Sequence, residues 1–421
     1  MSVGNPMLQG PKRSIAPVIF TVFLDLLGFG IVIPILAPLF LDRGIGILAP
    51  DTPFGVRTAI LGALISIFSV MQFFGAPVFG ALSDRYGRKP MLLLALGGTL
   101  VGYLCFAWGI TTRNLALLFF GRALDGFMGG SISIANSAIA DVSDAASKPR
   151  NFGLVGMAFG LGFILGPFIG GKLGDPSVAP WFTYATPFWF AAGLTVLNIL
   201  LVAVRFAETN MNRRHTPVSA FTGFRNLAKA FRMKNLRTLL LTVFLLGFGF
   251  NFFTQFFQVF MVEKFAYAQS QIGDIFAYIG LWVVITQGTL TGRLAKRHPP
   301  ARILEYSMLA LGLSLPLLLV PRHAAILYAI LPFIAVANGL TMPNTTSLVS
   351  GAAGPESQGE VMGLQQSIQA VAQAAPPLIS GFVVALHVNL PIMISSLSVL
   401  AAWAVFMLFF ERRPKETFHE V

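Results

Sequence analysis

Asp25, Arg122 and Asp125 each lie inside a long apolar run of this 421-residue chain. A charge placed in hydrocarbon is costly, so such groups pair with one another, face water or carry protons. A carboxylate held by an arginine stays charged, and the same carboxylate left alone in an apolar medium takes up a proton. The chemistry open to this trio is therefore proton binding and release, with no cofactor. Softer candidates come in stripes three or four residues apart: Asn251, Gln255 and Gln258 in one run, and Gln365, Gln366, Gln369 and Gln373 in another. Each stripe either lines a path for a polar ligand or joins helices to one another, and Asn338 belongs with them. The five histidines fall in separate loops and the tail, which speaks against a metal site, and the single Cys105 allows no disulfide framework. No phosphate-binding glycine loop with lysine occurs, and no histidine accompanies a nucleophile in the apolar runs. Neither an enzyme nor ATP-driven transport is expected.

The elements that position these residues are apolar helices. Hydrophobic residues make up 55% of the chain and charged residues 11%, with a mean hydropathy of +0.74; soluble domains carry about 25% charged residues. Charges gather in short clusters between runs of about 20 apolar residues, the length that crosses a bilayer. The runs lie near 16–40, 58–82, 90–110, 114–140, 152–174, 183–206, 237–263, 270–294, 302–320, 323–350, 358–386 and 390–410, which predicts twelve spans in an all-α integral membrane protein. The first is too long for the apolar core of a signal peptide. With the N-terminus inside, 22 lysines and arginines fall on the inner segments and 6 on the outer loops, so both termini are expected in the cytoplasm and the protein in the cell (inner) membrane. The same placement accounts for the net charge of +12 and speaks against nucleic acid as a partner.

The chain repeats itself. Leu26–Gly30 returns as Leu245–Gly249, Gly80–Arg85 as Gly292–Arg297, Asp125-Gly126 as Asn338-Gly339, and Gly153, Pro167 and Gly171 as Gly363, Pro377 and Gly381. Matches in one order, at offsets of 210 to 219 residues, argue for two related six-helix halves. The division is then 1–206, a connecting segment 207–236, and 237–421. In the connection Phe221, Phe224, Leu227 and Phe231 recur opposite Arg225, Lys229 and Arg232, the pattern of a helix lying on an anionic membrane surface or else of a solvated linker. Halves of this kind rock about a site near the midplane, which points to a carrier. The polar groups diverged: Asp25 aligns with Phe244 and Asp125 with Asn338.

Between the second and third spans stands Gly80-Ala-Leu-Ser-Asp84-Arg85-Tyr-Gly87-Arg88-Lys89. This resembles the signature loop of the major facilitator superfamily, and the span count, central connection and duplication extend the resemblance over the whole chain. Glycines allow a tight turn there, while Asp84 can accept hydrogen bonds from Arg85, Arg88 or a helix N-terminus of the other half. Gly80, Asp84, Arg85, Gly87 and Arg88 are thus expected to form a conformational latch.

The fifth span carries Gly153, Gly162, Gly166, Pro167, Gly170 and Gly171. Small residues four apart let a neighbouring helix approach closely, and proline is expected to kink the span. The spacing is similar to the glycine-proline signature of major facilitator drug antiporters. Gly121-Arg122-Ala-Leu-Asp125-Gly126 resembles the family's arginine motif of the fourth span, and Phe23-Leu-Asp25-Leu-Leu-Gly28-Phe-Gly30 the first span of tetracycline/proton antiporters. No acidic residue sits at mid-depth in the last six spans, where some of those antiporters have one, which counts against tetracycline as substrate.

The resemblance implies that the first and fourth spans border the cavity, within reach of one another. Asp25 is then expected to carry the proton, Arg122 to be its switchable partner and Asp125 to hold Arg122. Most of the 40 phenylalanines are expected to face lipid. The function implied is proton-coupled export of a small amphiphilic or hydrophobic compound by a monomer in the lipid bilayer. A carrier for a metabolite or lipid, and a non-transporting membrane sensor, are the alternatives.

Overall fold

In a computed structural model, residues 16–142, 148–210, 234–352 and 358–410 are described. Among them twelve long helices follow one another: α1 (Ala16–Leu41), α2 (Phe54–Tyr86), α3 (Arg88–Thr111), α4 (Leu115–Met128, resuming as Ser131–Val142), α5 (Lys148–Leu173) and α6 (Thr186–Arg205). The second half comprises α7 (Lys234–Phe265), α8 (Gln269–Ile285), α9 (Pro300–Ser314), α10 (Leu327–Gly351), α11 (Gln358–Leu386) and α12 (Leu390–Phe409). Eleven are long and apolar enough to span a bilayer, and the twelfth, α5, carries a shorter apolar stretch, Gly160–Leu173. The patterned connection 211–233 lies outside the described residues.

The sequence sets these elements by simple means. Long apolar runs close their backbone hydrogen bonds internally, as hydrocarbon demands. Between α2 and α3 a single residue turns the chain: Gly87 stands at φ +110°, a left-handed conformation that side chains resist. The fourth span is not the continuous helix expected over 114–140. It breaks at Gly129-Gly130, where a Cβ on Gly130 would come within 2.7 Å of Cβ of Phe79. In the second half α8 continues through a π turn, Thr286–Thr291, and a last turn, Gly292–Ala295.

Arg57, one of the six basic residues expected on the outer loops, is not a loop residue. It lies in α2, 3% exposed, and donates to the carbonyls of Phe40 (2.8 Å), Ala49 (2.7 Å) and Thr52 (3.1 Å), fastening the α1–α2 connection. The phenylalanines of α7 also depart from expectation. Phe252, Phe253, Phe256, Phe257 and Phe260 are buried, and Phe253, Phe257 and Phe276 pack ring to ring at 4.8 and 6.0 Å. They form a helix-packing core, not a lipid-facing surface.

The end carrying Gly87 is the motif face here, and the opposite end the far face. At the motif face, the first half has an apolar cluster of its own, including Val18, Phe79, Leu92, Ile139 and Val202. At the far face, the cluster of Phe40, Leu61, Phe106 and Phe188 also takes in Phe256, Val259 and Val384 from the second half. The hydrophobic joint between the halves therefore sits toward the far face.

Candidate functional site

The ionisable trio is assembled by α1 and the two pieces of α4. Asp25, half-buried on α1, accepts a 2.6 Å hydrogen bond from the hydroxyl of Ser131, the first residue after the break in α4. On α4 before the break, Arg122 Nη1 meets Asp125 Oδ2 at 3.4 Å, both residues buried. Arg122 lies over the ring of Phe68 at 4.4 Å, and its Nε is buried without a hydrogen-bond partner. The arrangement is kept compact by glycine. A Cβ on Gly126 would strike the backbone of Phe68, and one on Gly102 would stand 3.0 Å from Cβ of Asp125. In this conformation Arg122 is paired with Asp125, and Asp25 with Ser131. Sequence reasoning did not single out Ser131 or Phe68; a hydroxyl directly after the glycine pair was the signal for the first, and only the fold reveals the second.

At the motif face Arg88 is the centre. Its guanidinium donates to Asp84 (2.6 Å), Asp141 (3.0 Å) and Ser83 (2.7 Å), while Arg85 is exposed beside Tyr86. Asp84 thus uses Arg88 among the donors its loop offers; residues 353–357, ahead of α11, lie outside the described residues. Gly80 lies close to Ser133, at 3.4 Å from where its Cβ would be.

Two further residues complete this end. Asp141, at the end of α4, receives Arg88, and Glu208, just past α6, caps α3 by accepting from the backbone N–H of Arg88 (2.9 Å) and Lys89 (3.1 Å). Asn210 donates to the Asp84 carbonyl at 2.8 Å. Residues 206–210 are therefore folded onto the first half. Burial alone would raise the Glu208 carboxyl, but the backbone donors of Asn210, Arg88, Lys89 and Thr209 together outweigh it and hold the group below its ordinary value. A carboxylate three residues past a span carries no signal of its own in the sequence.

The glycines of α5 serve two neighbours. Along one side Gly162, Gly166 and Gly170 meet α1: a Cβ on Gly166 would stand 2.6 Å from the Leu27 carbonyl and 2.8 Å from Cα of Gly30. Gly171 instead meets α8, across the halves, where a Cβ on Gly273 would stand 2.5 Å from the Pro167 carbonyl oxygen and 3.2 Å from Cα of Gly171. The other side of the molecule repeats this, with Gly62 of α2 against Pro377 and Gly381 of α11. Pro167 and Pro377 thus mark two equivalent inter-half contacts. The surroundings of Gly153 lie outside the described residues. At the same far-face end Lys172 Nζ bonds Ser270 Oγ (2.6 Å) and Asp274 Oδ2 (2.8 Å) on α8.

The amide stripes divide. Gln258 is buried and accepts from the backbone N–H of Ala37 at 3.1 Å, so it joins α7 to α1. Gln365 is buried and donates to Thr346 on α10 at 3.3 Å. Asn251 donates to the Gly247 carbonyl on its own helix, at 2.7 Å. Gln255, Asn338 and Gln369 are half-buried.

With this geometry in hand, comparison with known proteins is decisive. The profile of the Major Facilitator Superfamily matches residues 18–377. The chain belongs to this superfamily. It is therefore an integral membrane transporter and not an enzyme. It is 30% identical to the class C tetracycline resistance protein of Escherichia coli over 87% of this chain and 89% of that one. It is also 30% identical to the human major facilitator superfamily domain-containing protein 10, over 89% and 88% of the respective chains. The crystal structure of the human organic anion transporter MFSD10 (TETRAN) superposes with a TM-score of 0.71 at 26% identity, covering 94% of this chain and 100% of that one. A D-xylose-proton symporter shares the fold at a TM-score of 0.75 and 13% identity, over 94% and 98%.

Proposed function

We propose that this transporter exports a small amphiphilic or hydrophobic organic compound in exchange for protons. The observation that carries the reading is the trio itself: Asp25 on Ser131, and Arg122 on Asp125 with its Nε–H unpartnered. An arginine with a spare donor, on the helix whose continuation holds Asp25 through a single hydroxyl, can change partners at small cost. With Asp25 away from Arg122 the carboxyl holds a proton; with Arg122 beside it the proton leaves. Rocking of the halves supplies that alternation, because α1 packs on α7 and α8 of the second half while α4 packs on helices of the first. The tight far face and the first half's separate motif-face cluster support a conformation closed at the far face. The basic residues support a cytoplasmic motif face and cytoplasmic termini.

The relatives support an exporter of organic compounds, since tetracycline resistance proteins stand among them. The likeness to an organic anion transporter, together with the unpartnered Nε of Arg122, favours an anionic amphiphile as a second reading of the cargo. Asp25→Asn in proteoliposomes is expected to abolish accumulation driven by a pH gradient while leaving exchange at equilibrium intact. Full gradient-driven accumulation by an equally abundant mutant overturns the assignment.

A further inference from the structure

The second half carries a cavity that the transport site does not use. It holds about 840 Å³ on the flank of the bundle formed by α8, α9 and α10, and its walls include Ala310, Leu313, Phe333, Val336 and Leu340. Phe333 is 69% and Leu313 57% exposed, so the groove opens sideways, toward the bilayer of an integral membrane protein. Its motif-face end changes character, for His298 and Arg302 are part of the wall. The stretch from Gly292 to Tyr306 around them supplies four basic residues, Arg293, Lys296, Arg297 and Arg302, against one acidic residue, Glu305.

The origin of the groove is visible when the halves are compared. Gly126 of α4 lies on the backbone of Phe68 in α2. Its counterpart Gly339 on α10 meets α8 through a side chain, Cγ2 of Thr286, at 3.1 Å. Thr286 opens the π turn of α8, and beyond it Gly288 and Gly292 have nothing within 4 Å of where a Cβ would lie. Past Thr286, which is buried against α10, the motif-face part of α8 is thus unpacked on the sides of Gly288 and Gly292. A π turn inside a span is the kind of irregularity that marks a functional element.

The dimensions select an occupant. Leu313 lies eleven residues beyond Arg302 on α9, roughly 16 Å at about 1.5 Å per residue, close to the depth of one leaflet in a core about 30 Å thick. An apolar channel one leaflet deep, open to the membrane and crowned by basic side chains, matches a phospholipid acyl chain whose anionic phosphate rests on Arg302 and His298. We propose that this groove is a binding site for an anionic phospholipid of the motif-face leaflet. Lipid seated there braces α8 against α9 and α10, on the helix that also meets α5 at the joint between the halves.

Native mass spectrometry of the full-length transporter tests this, with dioleoyl phosphatidylglycerol or dioleoyl phosphatidylcholine added to the detergent-purified protein. The wild type is expected to retain phosphatidylglycerol in preference to phosphatidylcholine. The double variant Arg302→Gln/His298→Gln removes the headgroup contact and is expected to cut retention by at least about fivefold, the share of the one arginine charge lost. Ala310→Trp fills the channel and is expected to abolish the tightest-bound lipid, with elution profile and helical circular dichroism unchanged as the check on folding. Wild-type retention by folded Ala310→Trp, or equal retention of the two lipids by the wild type, overturns the proposal. So does displacement of the lipid by a compound that the wild type pumps and Ala310→Trp does not, because the groove would then be a substrate entrance.

Discussion

Gly126 and Gly339 hold matching places in the two halves, yet the first rests on the backbone of its neighbour and the second on a threonine side chain. The contrast extends outward from that pair. The first half concentrates the buried charge, with Arg122 and Asp125 inside and Arg88 tied to Asp84 and Asp141 at its edge. The second half keeps phenylalanine and amides where the first has carboxylates, and leaves a groove between α8, α9 and α10. The comparison teaches that duplication preserved the hinge contacts and released the rest. Gly62 on Pro377 and Gly273 on Pro167 are alike, each setting a glycine against a proline carbonyl of the other half, whereas the buried Arg122–Asp125 pair has no counterpart among the described residues of the second half.

The comparison breaks most visibly at those hinges. Gly62→Leu and Gly273→Leu are expected to behave alike, since each side chain would meet a proline carbonyl of the other half. Overpacking of this kind costs about 1–3 kcal/mol, so a proposed far-face closure should be weakened by roughly fivefold or more. Reactivity of far-face cysteines toward an impermeant thiol reagent checks it, and a large effect at one site with none at the other denies the equivalence. An unequal response is expected from Gly126→Val and Gly339→Val. The first is expected to cost about 1–3 kcal/mol or to prevent folding, the second under about 1 kcal/mol because Thr286 can yield. Thermal unfolding in detergent measures both, and equal losses would show the second half to be packed as tightly as the first.

Glu208→Gln sharpens the electrostatic side of the contrast. The folded carboxyl sits below its ordinary value of 4.5, so its stabilisation is full above that pH and is lost as the pH falls through the lower folded value. The half-exposed cap contributes up to about 1 kcal/mol. Wild type is therefore expected to melt a few degrees above Glu208→Gln at neutral pH, and the gap is expected to close in acid. A gap independent of pH would assign the effect to packing. Smallest of all is Asp274→Asn, because its bond to Lys172 is half-exposed and such pairs contribute about 0–1 kcal/mol. Far-face thiol reactivity should change no more than severalfold.

Much of this was legible before any coordinates. Apolar run length gives the helices, and the repeated landmarks give the two halves, because hydrocarbon leaves the backbone little choice. The glycines of α5 could be read as an interface, but not which neighbours they serve; Gly171 differs from Gly170 only in the direction its missing side chain would point. Contacts made between distant elements were illegible. Arg57 reads as a loop charge until three carbonyls surround it, and Asp141 as a polar end until Arg88 arrives. The phenylalanines of α7 mislead for a related reason, since lipid and a helix core are equally apolar solvents and composition does not distinguish them.

The cap at Glu208 bears on where the chain can be divided. A cut placed straight after α6, at residue 206, would remove the carboxylate that closes the N-terminus of α3 and the amide of Asn210 that holds the turn before it. A cut after Asn210 leaves both with the half they serve. Two separately translated fragments, 1–210 and 211–421, are the pair suited to reassembling into a working carrier.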